Sequence, residues 1–128
     1  MPAKTRVLII DDEENLTQLL KMNLETMGNF EMLACNSPKE GLAFARTQKP
    51  DVVILDLMMP EMDGTEVAAR LMENPATQDI PIVFLTALAD RGQMEKSGGN
   101  VAGREMLAKP VSMAEIIKKI ELVTGKKA

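Results

Sequence analysis

The sequence predicts an α/β fold: a doubly wound parallel sheet of five strands in the order 2-1-3-4-5, covered by five helices. Three observations predict it. Five short apolar segments alternate with longer amphipathic ones along the 128 residues, the pattern of a parallel sheet with helices on both faces. Segments one, three and four are apolar at consecutive positions, as strands buried on both faces are. Segment two is interrupted by Glu31 and segment five is preceded by Arg104-Glu105, so charge marks these two as sheet edges.

The elements follow in order. Segment one is Val7-Leu8-Ile9-Ile10, and the helix after it carries Leu16, Leu19, Leu20, Leu24 and Met27 at helical spacing, with Gly28 as its stop. Segment two runs from Phe30 to Ala34. Ser37-Pro38-Lys39-Glu40 then reads as a capping box with proline at the first helical position, and its helix carries Leu42, Phe44 and Ala45. Segment three is Val52-Val53-Ile54-Leu55. The next helix begins near Gly64, carries Val67, Ala68 and Leu71, and stops before Pro75. Segment four is Ile82-Val83-Phe84-Leu85, followed by a weaker helical pattern over Asp90–Ser97 and a break at Gly98-Gly99-Asn100. Segment five is Met106-Leu107-Ala108. A second capping box, Ser112-Met113-Ala114-Glu115, opens a last helix with Ile116, Ile117, Ile120 and Val123. The expected strand order is that of flavodoxin-like folds.

Composition narrows the function. One domain spanning 1–128 is large enough to bury a core, and 45% hydrophobic with 27% charged residues is ordinary for a soluble globular chain. No apolar run approaches the length of a membrane span, and the first residues carry no signal-peptide core, so a cytoplasmic location is expected. With no histidine, Ser-His and Cys-His catalysis and histidine-ligated metals are excluded. The single Cys35 excludes an internal disulfide and a multi-thiolate zinc site. A net charge of −4 with no tryptophan or tyrosine argues against nucleic acid as a partner.

Chemistry gathers at the ends of the strands. Asp11-Asp12 follow strand one and Asp56 ends strand three, and these neighbouring strands meet at the topological switch point, where such sheets bind ligands. Three converging carboxylates repel one another and resist ionisation, and Mg²⁺, which favours oxygen ligands, removes the difficulty. Strand four ends in Thr86-Ala87 and strand five in Lys109-Pro110. Taken singly, Asp11-Asp12 fits a helix N-cap, Asp56 a turn, Thr86 strand propensity and Lys109 a solvated charge. Glu13 and Glu14 read as solvated first-turn charges. What sets Asp11, Asp12, Asp56, Thr86 and Lys109 apart is that all five point to one rim.

Ile9-Ile10-Asp11-Asp12, the run from Asp56 through Met58-Met59-Pro60 to Asp63-Gly64, Thr86-Ala87 and Lys109-Pro110 together resemble the response-regulator receiver family, in order and spacing over essentially the whole chain. The resemblance implies a phospho-accepting switch, not an enzyme acting on external substrates. Asp56 would take the phosphoryl group. Asp12, Asp56 and the Met58 backbone carbonyl would hold Mg²⁺ or Mn²⁺, with Asp11 acting directly or through water. Lys109 would pair with a phosphoryl oxygen and Thr86 would turn its hydroxyl onto the phosphate. Ala87 would leave the pocket open, and the peptide before Pro110 would be cis. The implied partners are a sensor histidine kinase or histidine phosphotransfer protein and an unidentified output protein, with the chain a monomer or weak dimer. The donor must lie outside the chain, which has no histidine.

Two departures stand out. The aromatic residue that the family carries three positions before the lysine is Met106 here, so the familiar aromatic relay is missing and a weaker or differently routed signal is expected. Met58 and Leu88, at positions that influence acyl-phosphate hydrolysis in the family, are both apolar and cannot orient water, so a long-lived phosphoryl group is expected. Three other readings compete. A haloacid-dehalogenase-like phosphatase would need Asp-x-Asp after strand one, where Asp11-Asp12-Glu13 stands. A flavin module would need a hydroxyl- and glycine-rich phosphate loop there. A phosphorylation-independent pseudo-receiver would bind partners without the chemistry.

Overall fold

A computed structural model describes residues 4–27, 29–86, 100–101, 104–109 and 111–125. Its strands are β1 (Thr5–Ile10), β2 (Phe30–Cys35), β3 (Val52–Asp56), β4 (Ile82–Thr86), β5 (Asn100–Val101) and β6 (Arg104–Ala108). Among the described residues the helices are α1 (Glu14–Thr26), α2 (Pro38–Gln48), α3 (Gly64–Glu73) and α4 (Met113–Thr124). The helix expected over Asp90–Ser97 lies outside the described residues, as do the Gly98-Gly99 break, Gly28, Ala87, Leu88 and Pro110 with its peptide geometry.

The sheet runs β2-β1-β3-β4-β6-β5. Its five longer strands pair in parallel, in the expected 2-1-3-4-5 order. The sixth strand is a correction: Asn100–Val101 pairs antiparallel with Arg104–Glu105, so the fifth parallel strand is not the edge. A two-residue strand leaves no alternation in the sequence by which to foresee it. The short connection between β5 and β6 is the kind that only an antiparallel pair allows.

Alternation along the strands splits the core in two. Val7, Ile9, Val52, Ile54, Val83 and Leu85 pack with Leu20 and Leu24 of α1 and Ile116 and Ile120 of α4. Leu8, Ile10, Val53, Leu55, Ile82 and Phe84 pack with Ala45 of α2 and Val67, Ala68 and Leu71 of α3. Helix α1 buries a different stripe from the one expected. Thr17 is buried with Leu20 and Leu24, while Leu19 and Met27 are about half exposed. Leu19 lies one residue, roughly 100°, off the i, i+4 stripe that Leu16, Leu20 and Leu24 turn to the sheet.

Local signals set the other boundaries. The Ser37 hydroxyl accepts from the Glu40 amide at 3.2 Å, with Pro38 at the first helical position. The Asp63 carboxylate accepts from the Glu66 amide at 3.0 Å and opens α3. Ser112 and Glu115 form a reciprocal capping box, and Gly125, in the left-handed region at φ 69°, closes α4.

Candidate functional site

The carboxyl ends of the central strands form one rim. Asp11 directly follows β1, and Asp56 ends β3 opposite Leu85 of β4. Thr86 ends β4 opposite Ala108 of β6, and Lys109 comes next. The backbone therefore brings all five strand-end positions together; the Thr86 side chain is not among the described groups.

Asp11 is fully buried and Asp56 nearly so, while Asp12 is exposed. Each offers a carboxylate oxygen, and these oxygens all lie within 4.8 Å of one another. Lys109 Nζ stands among them, 2.9 Å from Asp11 Oδ2 and 3.7 Å from Asp56 Oδ1. It also donates to Glu13 Oε1 at 2.8 Å. That contact corrects the reading of Glu13 as a solvated charge: its side chain is largely exposed, yet its end folds onto the lysine. No sequence pattern marks the pair, because the two residues are brought together only by the sheet. The Met58 amide donates to Asp56 Oδ1 at 3.4 Å, and the Met58 side chain points to solvent.

The electrostatics follow from this crowding. Burial pushes Asp56 up from 3.8 to about 7; the Asp11 charge adds to the rise, and Lys109 and the Met58 amide oppose it. Burial also raises Asp11, against the Glu13 amide and Lys109. Burial alone would lower Lys109, but the hydrogen bonds and charges of Glu13, Asp11 and Asp56 outweigh it and hold the ammonium charged. The Asp11 oxygens divide their work. Oδ1 accepts from the Glu13 amide at 2.9 Å. Oδ2 faces the Lys109 ammonium at 2.9 Å, a charge-assisted contact for a buried anionic oxygen. Three carboxylates whose oxygens lie this close, with one lysine to balance them, suit a hard divalent cation.

The surrounding backbone fixes the rim. The Leu57 amide donates to Leu85 O at 3.0 Å and the Gly64 amide to Leu57 O at 2.8 Å. A Cβ at Gly64 would fall 2.4 Å from the Asp56 carbonyl oxygen, so only glycine lets α3 begin this close to the acceptor strand. On the other side, the Asp11 amide donates to Cys35 O at 3.1 Å, and Asn36 Nδ2 donates to Asp11 O at 2.9 Å and to Thr17 Oγ1 at 2.8 Å. The sequence gives no hint of Asn36 or Thr17, which carry no motif and meet only when β2 lies beside β1.

Met106 is buried on the α2–α3 side of the sheet, opposite Phe84 in register. Cys35 is buried at the end of β2, and burial together with the nearby Glu40 charge pushes its thiol up to about 12.

Comparison with known proteins agrees with this geometry. Residues 7–121 match the response regulator receiver domain family. The alkaline phosphatase synthesis transcriptional regulatory protein PhoP of Bacillus subtilis is 32% identical over 118 residues, which cover 92% of this chain and 48% of that protein. This chain thus spans about half the length of that relative, and 26% of response regulator PleD of Caulobacter vibrioides. An uncharacterized 14.6 kDa protein of Leptolyngbya boryana is 34% identical over 122 residues, 93% of this chain and 89% of that one. The crystal structure of a response regulator receiver domain protein from Clostridium thermocellum superposes with a TM-score of 0.78 at 29% identity, over 94% of each chain. An acidic rim of this kind on a 2-1-3-4-5 sheet, matched over nearly the full chain, makes this protein a member of the response regulator receiver domain family, the phosphoryl-accepting domains of two-component signalling.

Proposed function

We propose that Asp56 accepts a phosphoryl group from the phosphohistidine of a sensor histidine kinase or a histidine phosphotransfer protein, in a step that depends on Mg²⁺ or Mn²⁺. The observation that carries this reading is the meeting of Asp11, Asp12 and Asp56 within 4.8 Å beside a lysine 3.7 Å from the acceptor. A carboxylate oxygen of Asp56 attacks phosphorus, the phosphorus–nitrogen bond of the donor breaks with its electrons on the imidazole, and an acyl phosphate results. Asp11, Asp12, Asp56 and the Met58 carbonyl would hold the cation. When bound, it supplies positive charge to the carboxylates and to the phosphoryl oxygens in transfer.

The chain's own groups do the rest. Asp56 must be ionised to attack, and Lys109 favours that form. After transfer Lys109 is close enough to pair with a phosphoryl oxygen as a compact charge. Thr86, at the end of β4, would give its hydroxyl to the phosphoryl group and draw its loop inward. The exposed, apolar Met58 offers no group to orient a hydrolytic water, which favours a persistent phosphoryl group. The signal would leave by protein–protein contact, with the chain a monomer or weak dimer in the cytoplasm. Among the described residues no helix is long and apolar enough to cross a membrane.

Incubation with acetyl phosphate and Mg²⁺, read by intact mass, tests the reading. One added phosphoryl group is expected, absent in Asp56→Asn and without metal. An unmodified mass, or modification that survives Asp56→Asn, would refute it.

A further inference from the structure

We propose that Asn36 and Thr17 are positioning residues for the cation: a partly buried polar clip across the sheet end that holds the β1–α1 loop so that Asp11 and Asp12 face Asp56. The proposal rests on the reading of these three aspartates as a cation site.

The loop between β1 and α1 is only Asp11, Asp12 and Glu13. Its helix end has no conventional fastening, since Glu13 occupies the N-cap position without a side-chain capping bond. The end of β2 grips the loop instead. The Asp11 amide donates to Cys35 O at 3.1 Å, and the Asp11 carbonyl accepts from Asn36 Nδ2 at 2.9 Å. A carbonyl can only accept, so it selects the amide's NH₂ end. The second proton of that NH₂ goes to Thr17 Oγ1 at 2.8 Å, and the Thr17 hydroxyl donates on to Glu14 O at 3.0 Å. Thr17 is fully buried and Asn36 half-buried, so these bonds are partly sheltered from water. The chain of bonds ties β2, the Asp11 backbone and the first turn of α1 into one unit.

The clip works against a definite force. Asp11 and Asp12 each bring a carboxylate oxygen within 4.8 Å of Asp56, and like charges at that range push apart. Asp12 is exposed and has room to retreat. A loop released from Asn36 could relieve the repulsion by swinging outward, and the cation would then have to pull it back at a cost to its own affinity. Loss of the clip should therefore act mainly on cation affinity and less on phosphoryl transfer once the site is filled.

The test uses the whole chain, with Mg²⁺ affinity measured by calorimetric titration, folding by circular dichroism, and phosphorylation by acetyl phosphate across a range of Mg²⁺ concentrations. Asn36→Ala and Thr17→Val should each weaken Mg²⁺ binding by about 10-fold, the range expected when a support behind a metal ligand is lost. Thr17→Ser keeps the hydroxyl and should stay within about twofold of the parent. Because the two residues share one link, the double variant should lose less than the product of the single losses. Most of the phosphorylation defect should vanish at saturating Mg²⁺. An Asn36→Ala protein that binds Mg²⁺ as the parent does, or a Thr17→Ser protein as weak as Thr17→Val, would overturn the proposal. Should Thr17→Val fail to fold, Asn36→Ala decides alone, since that side chain is only half-buried. A parent chain that binds no Mg²⁺ would instead overturn the cation site itself, and the clip's proposed purpose with it.

Discussion

The acceptor aspartate carries a measurable penalty. Its folded pKa is raised from 3.8 to about 7, so between those values the unfolded chain gives up the Asp56 proton while the folded chain keeps it. The folded state then binds more protons, and the stability of the metal-free protein falls as the pH rises through this window. Asp56→Asn removes the penalty. In metal-free buffer this variant should be more stable than the parent at pH 8 by on the order of 2–4 kcal/mol, at ~1.4 kcal/mol per pKa unit, with the gap closing toward pH 4. Urea unfolding followed by circular dichroism reads it; a gap that is absent at pH 8 or independent of pH would contradict the assignment. Cys35 gives a second prediction. Buried, with its thiol pushed up to about 12, it should resist thiol reagents at pH 8 in the native chain and react once urea unfolds it. At this scale the sequence was informative about position: Asp11, Asp12, Asp56 and Lys109, expected at strand ends, do meet at one rim. Glu13, Asn36 and Thr17 were not, because each acts through a partner supplied by another strand or loop.

Among the elements, helix ends were the most legible parts. Ser37 and Ser112 cap as their spacing suggests, because the acceptor and the amide it serves lie three residues apart, and Asp63, not marked as a cap in advance, serves α3 in the same way. The capping box at α4 predicts that Ser112→Ala costs about 1 kcal/mol of stability by urea unfolding. A loss below a few tenths of a kcal/mol would mean the last helix does not depend on its cap. Two features escaped the sequence. The buried face of α1 includes Thr17 in place of Leu19, since periodicity ranks residues by polarity and cannot see that Asn36 satisfies the hydroxyl. Strand β5 escaped because two residues are too few for any pattern.

In the molecule as a whole, the sheet order was legible because consecutive apolar runs mark the central strands. How a signal crosses the sheet was not, since that depends on the packing around Met106. This side chain is buried on the same face of the sheet as Ile82 and Phe84, opposite Phe84 in register. A flexible, unbranched side chain there can adapt without two discrete positions. Structures with and without beryllofluoride should therefore show Met106 shifting by less than a full ring flip would require; a two-position switch of that size would refute this. Beneath the acceptor, the seat of α3 against the Asp56 carbonyl leaves no room for a Cβ at Gly64. Heredity should register that contact as sharply as it registers the reactive carboxylate. In a library of every single substitution selected for phosphorylation, position 64 should be nearly as empty as position 56, although its residue contributes no atom to the reaction; survival of alanine and serine there would show that the helix can give way.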